Sequence, residues 1–184
     1  MSQFLSFKNL IKVFTIFLVS SCTSNHESIQ INEKPSQLLE TATGVSLNFS
    51  DYGKSKLLLK APKLIKSNNE DNSMIMECPI GMELIFYDSL KNIESVLIAD
   101  YGKLFTKKQL LKVRENVQFY NYNNDTLFAE ELLIDFAKDS IYSEKLVTFS
   151  NVEGRITGRK LKANSNFTYF QMTDISESHV NYNL

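Results

Sequence analysis

The chain has 184 residues, of which 43% are hydrophobic, and this is enough to build the core of one ordinary domain. Lys and Arg number 20 against 21 Asp and Glu, a formal net charge of -1, so charge gives no reason to expect a nucleic-acid partner. With 13 Phe, 8 Tyr, 6 Gly and no Trp, the composition favours half-buried β-sheet over a helical bundle.

The first predicted element is an export signal at residues 1–21. A basic segment precedes the apolar run Val13–Val19, and two serines and then Cys22 follow it. This order is typical of a secretory signal, and the run is too short for a bilayer, which takes about 20 residues. The stretch "VSSC" also resembles the lipobox of bacterial lipoproteins, which makes Cys22 the predicted lipidation site. An ordinary signal peptide and an uncleaved signal anchor are the alternatives.

Residues 22–42 are predicted to be the lipid anchor and a tether, because the sequence after Cys22 is polar and lacks a sustained period. The second cysteine, Cys78, cannot build a disulfide framework by itself. Its predicted role is that of a small buried hydrophobe and not that of a nucleophile.

From about Thr43 onward, apolar and polar residues alternate, as at Val45, Leu47 and Phe49. Alternation with period two predicts strands, and turn sequences such as "DYG" and "NND" separate them. Residues 43–175 are therefore predicted to form an antiparallel all-β sandwich, barrel or open roll, followed by a flexible tail at 176–184. The segment Gly102–Glu115 is compatible with a helix, although strands suit it equally well.

One six-residue phrase recurs in the predicted domain: an apolar residue, a small residue two positions later, and a leucine three positions after that. The copies are "LKAPKL" at 59–64, "LFAEEL" at 127–132, "IYSEKL" at 141–146 and "ITGRKL" at 156–161. A repeat of 14 or 15 residues suits one strand and its turn, and predicts equivalent positions on successive rungs of a β stack. Its small residues are predicted to hold open a groove; core positions of a closed sandwich are the alternative.

Several stretches, read in order over about residues 45–172, resemble the LptC family in its lipoprotein form. They include "DYGKSKLLLKAPKL", "CPIGMELIFYD", "ENVQFYNYNNDTLFAEELLID" and "ITGRKLKANSNFTYFQM". The chain departs from the family pattern at Glu115, where a Gly usually precedes "NV", and at Asp135-Phe136, where a Trp-Asp pair is common.

The resemblance implies an elongated open antiparallel β roll, the taco-shaped or jelly-roll-like class of LptC, LptA and OstA. The implied function is to accept lipopolysaccharide from an inner-membrane ABC transporter with LptF/LptG-like subunits and to pass it to an LptA-like periplasmic β roll. The implied location is the periplasm, with the lipid anchor in the inner membrane, and no cofactor or metal is expected. The candidate groove residues are Val117, Phe119, Leu127, Ala129, Ile134, Phe136, Ile141, Ser143, Val147, Phe149, Ile156 and Gly158.

Two other functions compete with transport. An enzyme is disfavoured, because His26 and His179 fall in the predicted tether and tail, and because Glu130 and Glu131 would point to opposite faces of a strand. A lipid-anchored structural or envelope-assembly lipoprotein with a closed β sandwich fits the alternation and the anchor equally well. An accessible apolar interior would distinguish the open roll from that sandwich.

Overall fold

The structure is a computed structural model that describes residues 39–180. The predicted signal peptide, Cys22 and residues 181–184 lie outside the described residues. Within them, twelve strands form one antiparallel sheet, which confirms the all-β prediction. The helix alternative for Gly102–Glu115 is wrong, because this segment forms parts of two strands joined by one 3-10 turn at Thr106–Lys108.

The strands are β1 Glu40–Asp51, β2 Lys54–Asn68, β3 Met74–Cys78, β4 Met82–Tyr87, β5 Ile93–Ala99, β6 Tyr101–Phe105, β7 Leu110–Asn121, β8 Thr126–Asp135, β9 Ser140–Ser143, β10 Val147–Asn151, β11 Gly154–Ala163 and β12 Phe170–Val180. The sheet therefore extends past both ends of the predicted domain at 43–175. Glu40 pairs with Lys66 at one edge, and Val180 pairs with Gly154 at the other. The added residues, 40–42 and 176–180, are exposed, so no alternation between buried and exposed positions identifies them as strand.

The strands follow one another across the sheet as a simple meander. The short strands β3 and β4 both pair with β2, and β9 and β10 both pair with β8 and with β11. In the same way, β5 and β6 both pair with β7. Each of these pairs of short strands is one long strand that is interrupted near its middle, so neighbouring rungs of the sheet run antiparallel throughout.

The interruptions line up across the sheet and form what we call the crease. Gly44 and Pro62 fall between paired residues on β1 and β2, and Glu115 and Asn116 form a bulge on β7 between residues paired with β8. Glu115 and Asn116 have left-handed backbone angles, with φ of 66° and 51°. The Asn116 side-chain amide donates to the carboxylate of Asp100, which separates β5 from β6, at 2.5 Å.

The crease divides the sheet into two layers that face each other. Layer I contains β4, β5, β10 and the parts of the long strands that pair with them; layer II contains β3, β6, β9 and the corresponding remainder. Leu97 and Phe119 of layer I and Val113 and Leu132 of layer II are 0% exposed. An inner face can be this dry only if something covers it, and each layer covers the other.

The crease explains the repeated phrase. In three copies the step from the small residue to the leucine crosses the crease, so Ala61 and Leu64, for example, are both buried although their spacing is odd. The inner corner of a fold leaves little space, and a Cβ at Gly158 would lie 2.7 Å from Met172 Sδ. The prediction of equivalent positions on successive rungs is wrong for the copy at 141–146. This copy begins on β9, which runs antiparallel to β8 and β11, the strands that carry two of the other copies, and its Leu146 is exposed.

Candidate functional site

An apolar cavity of about 230 Å³ lies between the two layers at the β1 side of the sheet. Layer I supplies Phe49, Leu57, Leu59, Met82 and Leu84, and layer II supplies Met76, Cys78, Gly102, Leu104, Thr106, Gln109, Leu111 and Phe136. Four strands, β2, β3, β4 and β6, each contribute two lining residues spaced by two, because successive side chains of a strand point to opposite faces. The cavity can hold an apolar group and offers few hydrogen-bond partners to a polar one.

Cys78 lies in this lining and is 3% exposed. Burial, and to a smaller extent the nearby Glu77 carboxylate, raises the pKa of its thiol to about 11. The thiol is therefore protonated near neutral pH, and a protonated thiol is a poor nucleophile. This agrees with its predicted role as a small hydrophobe.

Phe136 closes the end of the cavity at the turn after β8. Its backbone N–H donates to the Gln109 carbonyl oxygen at 3.0 Å, which ties this turn to the one before β7. Its ring lies 6.4 Å from that of Phe86, centroid to centroid. Since Phe86 belongs to layer I and Phe136 follows a strand of layer II, this contact joins the two layers.

A second cavity, of about 400 Å³, adjoins the first, with which it shares the lining residues Leu57 and Phe136; we call this second cavity the mouth. Polar groups border the mouth: Lys56, Glu94, Asp135, Asp139, Ser140 and Ser165. Asp135 is the most buried of the charged groups there, with 7% of its surface exposed. Its carboxylate lies 3.0 Å from Lys138 Nζ, and the hydrogen bond from Lys138 lowers the pKa of Asp135. The apolar cavity thus adjoins a second cavity whose lining combines apolar side chains with charged and polar ones.

Away from this cavity, toward β12, phenylalanine rings fill the space between the layers. Phe119 stacks on Phe86 at 5.3 Å and also contacts Phe167 at 5.3 Å. Phe149 lies 5.7 Å from Phe167 and 4.6 Å from Phe170. The rings form a continuous row, so they fill the interior in this part of the sheet.

The twelve candidate groove residues are all buried or half-buried. Eight of them form two adjoining rows in layer I, as the strand register shows: Phe119, Leu127, Phe149, Ile156 in one row and Val117, Ala129, Val147, Gly158 in the other. The other four, Ile134, Phe136, Ile141 and Ser143, belong to layer II and its turn. Phe136 is the member of the set that lines the 230 Å³ cavity, and Ile134, Phe136 and Ile141 border its mouth. Contact of these residues with a ligand stays a prediction.

Most of the cavity lining was not among the candidates. Leu57 and Leu59, like Met82 and Leu84, are apolar residues spaced by two in the sequence, but this spacing does not show that the space between them stays open. A usable signal was the group of sulfur-containing side chains Met76, Cys78 and Met82, since Met is adaptable and often lines binding surfaces for variable apolar ligands.

In residues 39–180 no helix is long and apolar enough to cross a membrane, and no group of His, Cys, Asp or Glu side chains there is placed to hold a metal ion. The family model described as "Lipopolysaccharide-assembly, LptC-related" matches residues 10–172. No curated protein matches the chain.

Proposed function

The chain belongs to the LptC family of lipopolysaccharide-assembly proteins, and from this premise we propose that the cavity between its layers holds acyl chains of lipopolysaccharide during transport. Membership in the family implies involvement in lipopolysaccharide transport. The observation that carries the proposal is the 230 Å³ apolar cavity, which adjoins a second cavity bordered by charged residues.

The two parts of this site suit the two parts of the cargo. Exposing one CH₂ group to water costs about 0.8 kcal/mol, so acyl chains need a continuous apolar lining while they are outside a membrane. The apolar residues that line the 230 Å³ cavity supply this lining. Lys56 at the mouth lies where the sugar and phosphate part of the cargo would remain in water. Transfer from one apolar groove to a similar one changes the buried area little and needs no chemistry on the cargo.

The proposed direction of transfer runs from an inner-membrane ABC transporter with LptF/LptG-like subunits to an LptA-like periplasmic β roll. In the described part of the chain, β1 pairs only with β2 and β12 only with β11. Each of these strands presents one unpaired edge, and such edges accept strands from partner proteins. In this proposal one edge contacts the transporter that delivers lipopolysaccharide, and the other contacts the β roll that receives it.

We place the protein at the periplasmic face of the inner membrane, held there by a lipid on Cys22. In this proposal residues 1–21 are the signal peptide and the polar residues after Cys22 are the tether. Cys22→Ala is expected to abolish incorporation of an acyl-chain analogue in metabolic labelling and to leave an uncleaved precursor or a released protein. Undiminished labelling of Cys22→Ala would remove the anchor from the proposal.

The alternative is a structural envelope lipoprotein with a closed interior. The observation in its favour is the row of phenylalanine rings from Phe86 to Phe170, which fills the interior toward β12 as a sandwich core would. The open cavity at the β1 side favours transport over this alternative.

Photo-crosslinking separates the two functions. A photo-reactive phenylalanine analogue replaces Leu104, which lines the cavity, and in a control chain it replaces Ile98, which faces outward and is 39% exposed. Transport predicts a crosslink to lipopolysaccharide from position 104 and not from position 98. Equal labelling at both positions, or none at 104, would favour the structural lipoprotein.

A further inference from the structure

The turn between β11 and β12 places a phenylalanine inside the sheet. This turn, Asn164–Tyr169, is called the Phe167 loop below. Phe167 has a left-handed backbone angle, φ 60°, which is unfavourable for a residue with a bulky side chain. Its ring lies between those of Phe119 and Phe149, 5.3 and 5.7 Å away. Because Phe119 and Phe149 belong to layer I and the loop joins the layer II ends of β11 and β12, the ring bridges the two layers.

Most hydrogen bonds of the Phe167 loop are internal. The Asn164 side chain accepts from the Tyr169 N–H at 2.9 Å and donates to Thr168 Oγ1 at 2.8 Å, and the Asn166 side chain accepts from Thr168. The loop can therefore keep its shape while it moves as a unit. Its ring, rather than its polar groups, provides the main contact with the interior.

One hydrogen bond links the Phe167 loop to the turn before β9. The Ser165 backbone N–H donates to Asp139 Oδ1 at 3.2 Å. Asp139 and Ser165 both border the mouth of the cavity. A polar group in the mouth would thus lie close to the hydrogen bond that links the Phe167 loop to the turn before β9.

We propose that the space beside Phe119 and Phe149 is a second acyl-binding section, that the Phe167 ring occupies it in place of an acyl chain, and that the loop swings out when cargo moves on toward β12. This inference rests on the function proposed above. The apolar ring fills a space lined by apolar residues, which is what an acyl chain would do there. Release of the loop requires the loss of the Ser165–Asp139 hydrogen bond and the ring contacts, while the internal bonds remain.

The first test removes the ring in the full-length chain. A photo-reactive phenylalanine analogue at Leu104 reports on the first section, and one at Ile156, which pairs with Phe149 in layer I, reports on the second. Phe167→Ala should increase lipopolysaccharide crosslinking several-fold at position 156 and leave it unchanged at 104. Phe128→Ala is the matched control, since Phe128 lies on the exposed face of β8, and it should change neither signal.

The second test locks the loop. In a Cys78→Ala background, Asp139→Cys with Ser165→Cys places two thiols at the hydrogen bond that holds the loop, and mass spectrometry verifies the disulfide. Within this variant, oxidation should lower the crosslink at position 156 several-fold relative to the one at 104, and reduction should restore the ratio. If the disulfide does not form, the Phe167→Ala comparison alone decides.

The outcomes distinguish this inference from the proposed function. If position 104 crosslinks to lipopolysaccharide and the signal at position 156 is the same in wild type, in Phe167→Ala and in the oxidised variant, the proposed movement of the loop is wrong. The proposed transport function would stand in that case. No crosslink at either position in any variant would overturn both.

Discussion

Gly102 and Met82 meet at the inner corner of the crease so closely that a Cβ on residue 102 would overlap the Met82 sulfur. Both residues line the apolar cavity. Gly102→Ala should force the Met82 side chain into a different rotamer, lower the free energy of unfolding by about 1–3 kcal/mol, and reduce lipopolysaccharide capture at position 104. Denaturant unfolding and photo-crosslinking measure the two effects.

Gly158→Ala is the control for that experiment. A Cβ there would lie 2.7 Å from Met172 Sδ, so a similar loss of stability is expected, but Gly158 does not line the cavity. Equal loss of capture in the two variants would mean that capture follows stability and not the shape of the cavity.

Glu115 has φ 66° in the bulge of β7, at the position where the family resemblance predicts Gly. A left-handed backbone costs a non-glycine residue roughly 1–2 kcal/mol, whereas Gly adopts it freely but loses more entropy on folding. Glu115→Gly should therefore raise the free energy of unfolding by up to about 1 kcal/mol, as measured by denaturant unfolding.

Glu130→Gly serves as the comparison, since Glu130 is an exposed strand residue without a positive φ. It should lower the free energy of unfolding by about 0.5–1 kcal/mol. If both substitutions destabilise the protein equally, the left-handed angle at Glu115 carries no strain.

Ser143 was predicted to keep a groove wide, but its hydroxyl group has a structural role. It donates to the Glu131 carbonyl oxygen at 2.8 Å and accepts from the Lys145 N–H at 3.1 Å. Ser143→Ala leaves both backbone groups without this partner and should cost about 1–3 kcal/mol of stability. Ser140→Ala, which removes a hydroxyl that bonds the carbonyl oxygen of Lys138 near the surface, should cost less. If Ser143→Ala is as stable as the wild type, the two hydrogen bonds contribute little, and the predicted role of Ser143 in keeping a groove wide remains the better explanation.

The Asp135–Lys138 pair predicts sensitivity to acid. The pKa of Asp135 is lowered in the folded state, so its contribution to stability is present above the unfolded pKa, near 4, and is lost as the pH falls through the lower folded value. Asp135→Asn should have a flatter stability profile below about pH 4 than the wild type. Asp51→Asn, at an exposed carboxyl group, should retain the wild-type slope; a profile of Asp135→Asn identical to that of the wild type would contradict the assignment.

Cys78 provides a native reporter of cavity occupancy. Because its pKa is raised to about 11, we expect slow alkylation by iodoacetamide at pH 8 and still slower alkylation when lipopolysaccharide is bound. Mass spectrometry of the peptide that contains Cys78 measures the rate, and Ser89→Cys at an exposed turn should react at one rate with and without cargo. Cargo that left the rate at Cys78 unchanged would not occupy this cavity.

Alternation along the sequence predicted the strands and most of their inner faces, as at Val45, Leu47 and Phe49, because period two follows directly from strand geometry. The odd spacing between the inward-facing residues Ala129 and Leu132 is visible in the sequence. One strand alone does not show, however, that the neighbouring strands are interrupted at the same level of the sheet. The crease is a property of the whole meander and so was not predicted.

The candidate site was harder to predict than the fold. Composition and alternation identify residues that face inward, but the sequence does not distinguish a filled interior from an open one. Phe167 lies in an Asn- and Ser-rich turn that predicts an exposed loop, and only the strand register brings it between Phe119 and Phe149. Cavity residues such as Leu104 and Leu111 carry no signal that separates them from an ordinary core.

The crease also has a mechanical consequence. At this height the ladder is interrupted by the bulge at Glu115-Asn116 and by short connections such as Asp100 between β5 and β6. A sheet that is interrupted along one line is easier to bend at that line than within either layer. We therefore expect the gap between the layers to widen for a bulky, branched ligand and to narrow after it has passed, without any strand changing its partner.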